Sequence, residues 1–329
     1  MATGIDIATV TEALSGGDLG VDKVVGVHRF AAGLSSLSYR IDVVAGGREL
    51  SWVMRREPDH GVIPPYDIVT EARVLEAVRG GGVPAPRVVH VEEDASVLGG
   101  RYMLTDFVDG CTYRSQDPTL GSDPAALAAL QDEFVAVLAR VHAVEQDVLA
   151  GFGDSAAAAR AHVETCRRRL GETAVTAQPI LADAFDTLYD LAPAGAPLVL
   201  CHGDYRLPNL KWQGSRVVGV LDWELARVGD PMADLAFTQT VGAGPCAVYG
   251  PLADRYAELS GNVVDEARIT YHRALEMAKS VVIGLAGAHD LLRGGDDLRL
   301  LSTAGLAATG LPIVAMLTKA VRALEEAHR

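Results

Sequence analysis

The chain has 329 residues, 49% of them hydrophobic and 22% charged, which excludes wholesale disorder and is long enough for two packed lobes, each with its own core. Its formal charge of −14 argues against a nucleic-acid partner, because a surface that grips phosphate backbones has to be basic. Residues 1–22 lack the basic start and apolar block of a secretory leader, and the most apolar late stretch, 280–288, falls far short of the ~20 residues that cross a bilayer. A cytoplasmic protein with no membrane partner is expected.

Residues 24–30, 38–44 and 51–56 are short runs rich in Val and aromatics, separated by Gly-containing turns, and read as strands. Ala45, Gly46 and Gly47 form the turn between the second and third. Asp67 caps a helix over 68–79, closed by Gly80, Gly81, Gly82 and Pro84. Strands over 87–91 and 101–107 complete a five-stranded, largely antiparallel sheet with one helix. Beyond Asp109 and Gly110 the texture becomes helical. Asp123 and Pro124 supply an N-cap and a first-turn proline, and Leu127, Leu130, Phe134, Val137 and Val141 keep helical spacing through His142. Helices are also expected over 160–170, 181–191, 265–292 and 297–326, with glycine-rich patches there marking breaks. A proline-rich bend over 193–197 leads into a strand ending at Cys201. The expected fold class is α+β and bilobal: a small antiparallel-sheet lobe with one helix over 1–105, a connection at 106–110, and a large, mainly helical lobe over 111–329.

Residues 202–209 read His-Gly-Asp-Tyr-Arg-Leu-Pro-Asn, and 13 residues past Asn209 (222 − 209) the apolar run 217–221 delivers Asp222 to the end of a strand. An Asp, an Asn and a second Asp make an oxygen-rich acidic corner of the kind that suits Mg²⁺. Asp-x-x-x-x-Asn followed by a strand-borne Asp is also the spacing of kinase catalytic machinery. Asp204 suits acceptance of a proton from an attacking hydroxyl, with Asn209 a neutral metal ligand and His202 a tie for the loop. The plainer reading is an Asx-rich turn between two strands.

Downstream, Asp230 reads as the N-cap of a helix that begins with Pro231. Asp234, one turn in, is placed to accept backbone N–H groups from the 202–209 loop. Ala32, Gly33, Leu34, Ser35 and Ser36 join the first two strands; their small side chains would let backbone N–H groups reach phosphates, and an ordinary hairpin turn fits equally. The third strand carries Arg55 and Arg56 on opposite faces. On the helix, Ile68, Glu71, Leu75 and Val78 are spaced three, four and three, so Glu71 lies in the inward stripe, where it wants a cation. A Glu at the stripe's edge, reaching solvent, is the alternative. Cys111, Cys166, Cys201 and Cys246 form no C-x-x-C pair and read as reduced, mostly buried thiols. Cys201 and His202 are strand neighbours and face opposite ways, against a Cys–His nucleophile.

Together these residues resemble the aminoglycoside phosphotransferase and choline kinase superfamily, relatives of the protein kinases. The run Leu221-Asp222-Trp223-Glu224-Leu225-Ala226, with Gly229-Asp230-Pro231, is similar to phosphotransferase domains joined to, or encoded beside, acyl-CoA dehydrogenases. The resemblance implies a protein-kinase-like fold and a set of roles. Asp204 is the catalytic base, Asn209 and Asp222 hold Mg²⁺, and Glu71 pairs with the phosphate-binding cation. Gly33, Ser35 and Ser36 lie in the phosphate loop, and the backbone around Asp106 and Val108 holds the adenine of ATP, with GTP an open alternative. The departure is Arg55, where many members carry Lys. The chain has four lysines, Lys23, Lys211, Lys279 and Lys319, none in the third strand, and Arg is longer and forked. Arg206 can share the charge at the transferring phosphate.

The expected function is ATP-dependent, Mg²⁺-requiring phosphotransfer to a hydroxyl of a small molecule. The runner-up is a catalytically weak, nucleotide-binding regulatory protein of pseudokinase type. A third reading, a metal-dependent hydrolase on His202, Asp204 and Asp222, would need more His ligands. Aminoglycosides, macrolides, choline-like alcohols, sugars and hydroxyacyl compounds all suit the machinery; the −14 charge and Glu224 tilt the expectation slightly toward a cationic acceptor. A homodimer is left open.

Overall fold

Gly46 and Gly47 take φ angles of 55° and 74°, the left-handed geometry that a two-residue hairpin turn demands and that glycine adopts without strain. They close the hairpin between β2 (Leu37–Ala45) and β3 (Arg48–Arg56), with Ala45 opposite Arg48. The structure, a computed structural model, describes residues 5–14, 19–30, 37–58, 66–115, 117, 120, 122–145, 147–149, 151–174, 176–240, 246–293 and 310–327. With β1 (Val21–Arg29), β4 (Val88–Glu92) and β5 (Tyr102–Asp106) the two strands form one sheet in the order β1-β2-β3-β5-β4, every pair antiparallel.

Alternation along β3 sorts its side chains. Trp52 and Met54 are buried on the face that holds Tyr39, Ile41, Tyr102 and Leu104, whereas Arg55 points the other way. A short helix, α1 (Ile7–Leu14), buries Val10 and Leu14 in that same cluster. The sheet lobe therefore carries a second helix that eight residues were too few to announce by periodicity. The opposite face meets α2 (Ile68–Gly80), capped as expected by Asp67, whose Oδ1 accepts the Thr70 N–H at 3.3 Å.

The helical lobe comprises α3 (Pro124–His142), α4 (Ser155–Thr173), α5 (Pro179–Asp190), α6 (Met232–Thr240), α7 (Leu252–Ser260), α8 (Glu266–Leu292) and α9 (Gly310–Ala327). α4 starts before the expected residue 160, at an Asp154 N-cap followed by small alanines that carry little pattern. α8 runs unbroken through Gly284 and Gly287, contrary to the expected break; both glycines are buried in the packed helix. Residues 297–309 of the last expected helix lie outside the described residues.

The sheet lobe has its own core, as expected, around Tyr39, Ile41 and Leu104, and a further cluster joins the two lobes. The inward residues of α2, together with Met103, pack in one cluster with Phe134 and Leu138 of α3 and with Tyr205, Leu207, Trp212 and Trp223. Because α2 offers apolar side chains at the seam, the core continues across it. A distinct cluster fills the space among α4, α5, α8 and α9. Among the described residues no helix is long and apolar enough to cross a membrane.

Candidate active site

Two small strand pairs shape the site. β6 (Val199–Cys201) pairs with β9 (Arg227–Gly229), and β7 (Leu210–Gln213) forms a hairpin with β8 (Arg216–Val220). β7 and β9, at four and three residues, were too short to read from alternation. The hairpin folds residue 222 back onto residue 209: Leu210 faces Val220, and the Leu221 N–H donates to the Asn209 carbonyl at 2.8 Å. Asp222 itself holds φ at 68°, a left-handed conformation unusual for a residue with a side chain.

Asp234 supports the 202–209 loop from below. Its carboxylate accepts the His202 N–H at 2.7 Å and the Gly203 N–H at 2.8 Å, and it meets His142 Nε2 at 3.0 Å. Burial works to raise this carboxyl, but the hydrogen bond and charge of His142 outweigh it and hold it well below the ordinary range. Gly203 sits at φ 82°, and a Cβ there would strike the Leu225 carbonyl and the Arg227 guanidinium. His202 is spent on structure. Its Nδ1 accepts the Asp204 N–H at 3.1 Å, so Nε2 carries the proton that reaches the Leu221 carbonyl at 3.0 Å. Neither nitrogen is left for a metal, which removes the ground for the hydrolase reading.

Asp204 and Asn209 meet across the loop. Asn209 Nδ2 donates to the Asp204 carbonyl at 2.9 Å and to its Oδ2 at 2.8 Å, which turns the Asn209 Oδ1 into the atom available to a cation. Arg206 grips the same carboxylate, Nε to Oδ1 at 2.8 Å and Nη2 to Oδ2 at 3.1 Å. Burial raises the Asp204 carboxyl above its usual value, with Arg206 opposing and Asp222 adding to the rise.

Across the seam stands Arg55. Its Nε lies 3.4 Å from Glu71 Oε1, its Nη1 2.9 Å from Asp222 Oδ1 and its Nη2 3.0 Å from Glu224 Oε2. The Arg55–Glu71 pairing is thus as expected, and Glu71 is buried. Burial pushes Glu71 up to about 7 against the pull of Arg55. Burial also works to raise Asp222, but Arg55 outweighs it and leaves that carboxyl below its usual value. Three carboxylates around one guanidinium leave negative charge in excess, and Asp222, the most exposed of the three, together with the Asn209 oxygen fits a hard divalent cation. A cavity beside this group, 180 Å³ between the start of α2 and residues 223–226, is lined by Glu71 and Glu224 but not by Asp204, Asn209 or Asp222, and is small for a nucleotide.

Other expected residues fare differently. Gly33, Ser35 and Ser36 lie outside the described residues. Asp106 ends β5; its N–H donates to the Arg87 carbonyl, and its carboxylate accepts from Arg87 Nε and Nη2, each at 2.9 Å. Val108 packs its side chain against Gly219 of β8. Arg56 faces away from the site and donates to the Leu98 and Gly99 carbonyls at 2.9 and 2.6 Å. Cys201 is buried, its thiol directed at the Asp230 carbonyl, and burial pushes it well above its usual value, so it is no nucleophile. Two contributors escaped the sequence reading: Tyr249 accepts the Leu207 N–H at 2.9 Å, and Tyr256 meets His142 Nδ1 at 2.6 Å. Glu224, expected to favour a cationic acceptor, closes on Arg55 instead. All three are long-range contacts, although His142 closing a helical stripe was a faint signal.

The profile of the phosphotransferase enzyme family matches residues 26–270. The chain is 31% identical over 216 residues to mouse acyl-CoA dehydrogenase family member 10, covering 64% of this chain and 20% of that protein. It thus spans about a fifth of that relative's length. A Ralstonia eutropha protein provisionally assigned as an aminoglycoside phosphotransferase shares the fold with a TM-score of 0.68 and 23% identity, over 96% of both chains. A thermostable mutant of aminoglycoside phosphotransferase APH(4)-Ia, solved with AMP-PNP and hygromycin B, superposes with a TM-score of 0.62 and 18% identity, over 96% of this chain and 97% of that one.

Proposed function

Because the chain belongs to the phosphotransferase enzyme family, we propose that it transfers the γ-phosphoryl group of ATP to a hydroxyl of a small molecule and requires Mg²⁺. The observation that carries this reading is the convergence of Asp204, Asn209 and Asp222 on one loop and hairpin, with the Arg55–Glu71 pair brought against Asp222 from the sheet lobe. Asn209 and Asp222 would hold the metal, which when bound offsets the charge of the phosphate oxygens. Asp204 accepts the proton of the attacking hydroxyl on Oδ1, the oxygen contacted by Arg206. Arg206 has to leave that oxygen first, and its side chain, 37% exposed, can turn toward the phosphates. The adenine is assigned to the connection at 106–108 between the lobes, and the phosphates to the segment carrying Gly33, Ser35 and Ser36. ATP is the nucleotide proposed, GTP the alternative.

The acceptor is a small hydroxylated compound. Glu224, one ground for expecting a cation, contacts Arg55 and is 13% exposed, so the remaining ground is the net charge of −14.

The test is ADP release by the purified protein against a library of hydroxylated metabolites and antibiotics, with and without Mg²⁺. Once an acceptor is found, Asp204→Asn should lower turnover by about 10²-fold or more while nucleotide still binds. Nucleotide binding without ADP release for any acceptor supports the regulatory reading. Absence of nucleotide binding removes both.

A further inference from the structure

Arg55 divides its three nitrogens among three carboxylates from two different segments. Nε faces Glu71 on α2, while Nη1 faces Asp222 and Nη2 faces Glu224 on the loop after β8. Arg55 and Glu224 are each 13% exposed, whereas Asp222 is 30% exposed. Only one of the three, Asp222, is assigned to the metal. If Asp222 turns to a cation, Arg55 loses the partner of Nη1 alone, and the two remaining carboxylates still set the plane of the guanidinium. Nη1 is then the donor presented to a phosphate oxygen.

We propose that Glu224 is a positioning residue for Arg55: with Glu71 it clamps the guanidinium so that Nη1 exchanges Asp222 for nucleotide phosphate without the arginine swinging away. The clamp depends on the fork of arginine. A lysine ammonium has its donors on one atom at the end of a flexible stem and cannot hold two flanking carboxylates while offering a third, fixed direction. Arg55 and Glu224 are therefore a matched pair, and the arginine at this strand position works because Glu224 is present. This inference rests on the nucleotide-site reading above.

The experiment measures binding rather than turnover. Isothermal titration of Mg²⁺–AMP-PNP and of adenosine is performed on the parent, Glu224→Gln, Arg55→Lys and the double variant. Glu224→Gln should weaken AMP-PNP about tenfold and leave adenosine within about twofold. In the Arg55→Lys background the same change should add less than about twofold, because the clamp no longer exists to be broken. Glu224→Asp keeps the charge but shortens the reach, and should show an intermediate loss; it also carries the comparison should Glu224→Gln fold poorly. Parent-like AMP-PNP affinity in Glu224→Gln and Glu224→Asp, or equal losses in the parent and Arg55→Lys backgrounds, overturns the clamp while leaving the phosphotransferase reading intact. A parent protein that binds no nucleotide overturns both.

Discussion

Asp234 shows how much one buried carboxylate can organise. It takes two backbone N–H groups of the 202–209 loop and a His142 nitrogen, and its folded-state pKa lies below its ordinary 3.8. A depressed acid adds stability that is present above the unfolded value and lost as pH falls through the folded one. The parent should therefore lose stability steeply as pH drops below 3.8, and Asp234→Asn should flatten that limb while costing about 3 kcal/mol at neutral pH. Chemical denaturation at pH 3 to 7 checks this; parallel pH profiles for the two proteins would contradict it. Arg56 offers a contrast with its neighbour. It holds two carbonyls of the 98–99 turn away from the site, so Arg56→Ala should lower the melting temperature yet leave the ratio of ATP to adenosine affinity at the parent value. Arg55→Ala should weaken ATP far more than adenosine. Which strand face each arginine takes was legible from alternation; what Arg56 binds was not, because the 98–99 turn lies more than 40 residues away in sequence.

At the scale of elements, the site is held by contacts between helices and the loop. Asn262 Nδ2 donates to Tyr256 Oη at 3.0 Å, and Tyr256 meets His142 at 2.6 Å, so a polar chain runs from just past α7 through α3 to Asp234. On the other flank Arg227 of β9 donates to Glu276 of α8 at 3.0 Å, and Lys279 closes on the same carboxylate. Glu276 is 1% exposed, and neutralising it strands the buried Lys279 and the half-buried Arg227. Glu276→Gln should cost about 3–5 kcal/mol in a urea melt; a loss under about 1 kcal/mol would show that the tie between α8 and β9 is dispensable. The helices α2, α3 and α8 were readable, since Asp67, Asp123 and Asp265 all cap where their residue type predicts, whereas α1 and α7, at eight and nine residues, were not expected. The short strands β7 and β9 were not, because three or four residues hold too little alternation to separate from a loop.

For the whole molecule, the core that crosses from α2 into α3 and the 202–209 loop couples the lobes. Unfolding should be one cooperative transition by calorimetry, with tyrosine and tryptophan signals and far-ultraviolet dichroism superimposing; two separated transitions would mean that the shared cluster does not bind the lobes together. The net charge of −14 acts at this same scale. An amino alcohol should be favoured over its neutral hydroxyl analogue at low ionic strength, and the advantage should fade with added salt. A preference for the neutral analogue at both salt concentrations removes the cationic reading and leaves phosphotransfer untouched.

Local chemistry was decided by the sequence alone. The spacing of Asp204, Asn209 and Asp222, the inward placement of Glu71, the caps and the glycine turn at 46–47 all follow from side-chain type and short-range periodicity. Tertiary structure decided which charges meet. No spacing rule connects Arg55 with Asp222 and Glu224, 167 and 169 positions away, or His142 with Asp234, 92 positions away. Such pairs form only when the hairpin of β7 and β8 and the continuous core bring the lobes together, because desolvated charges take whichever partner the packing leaves within reach.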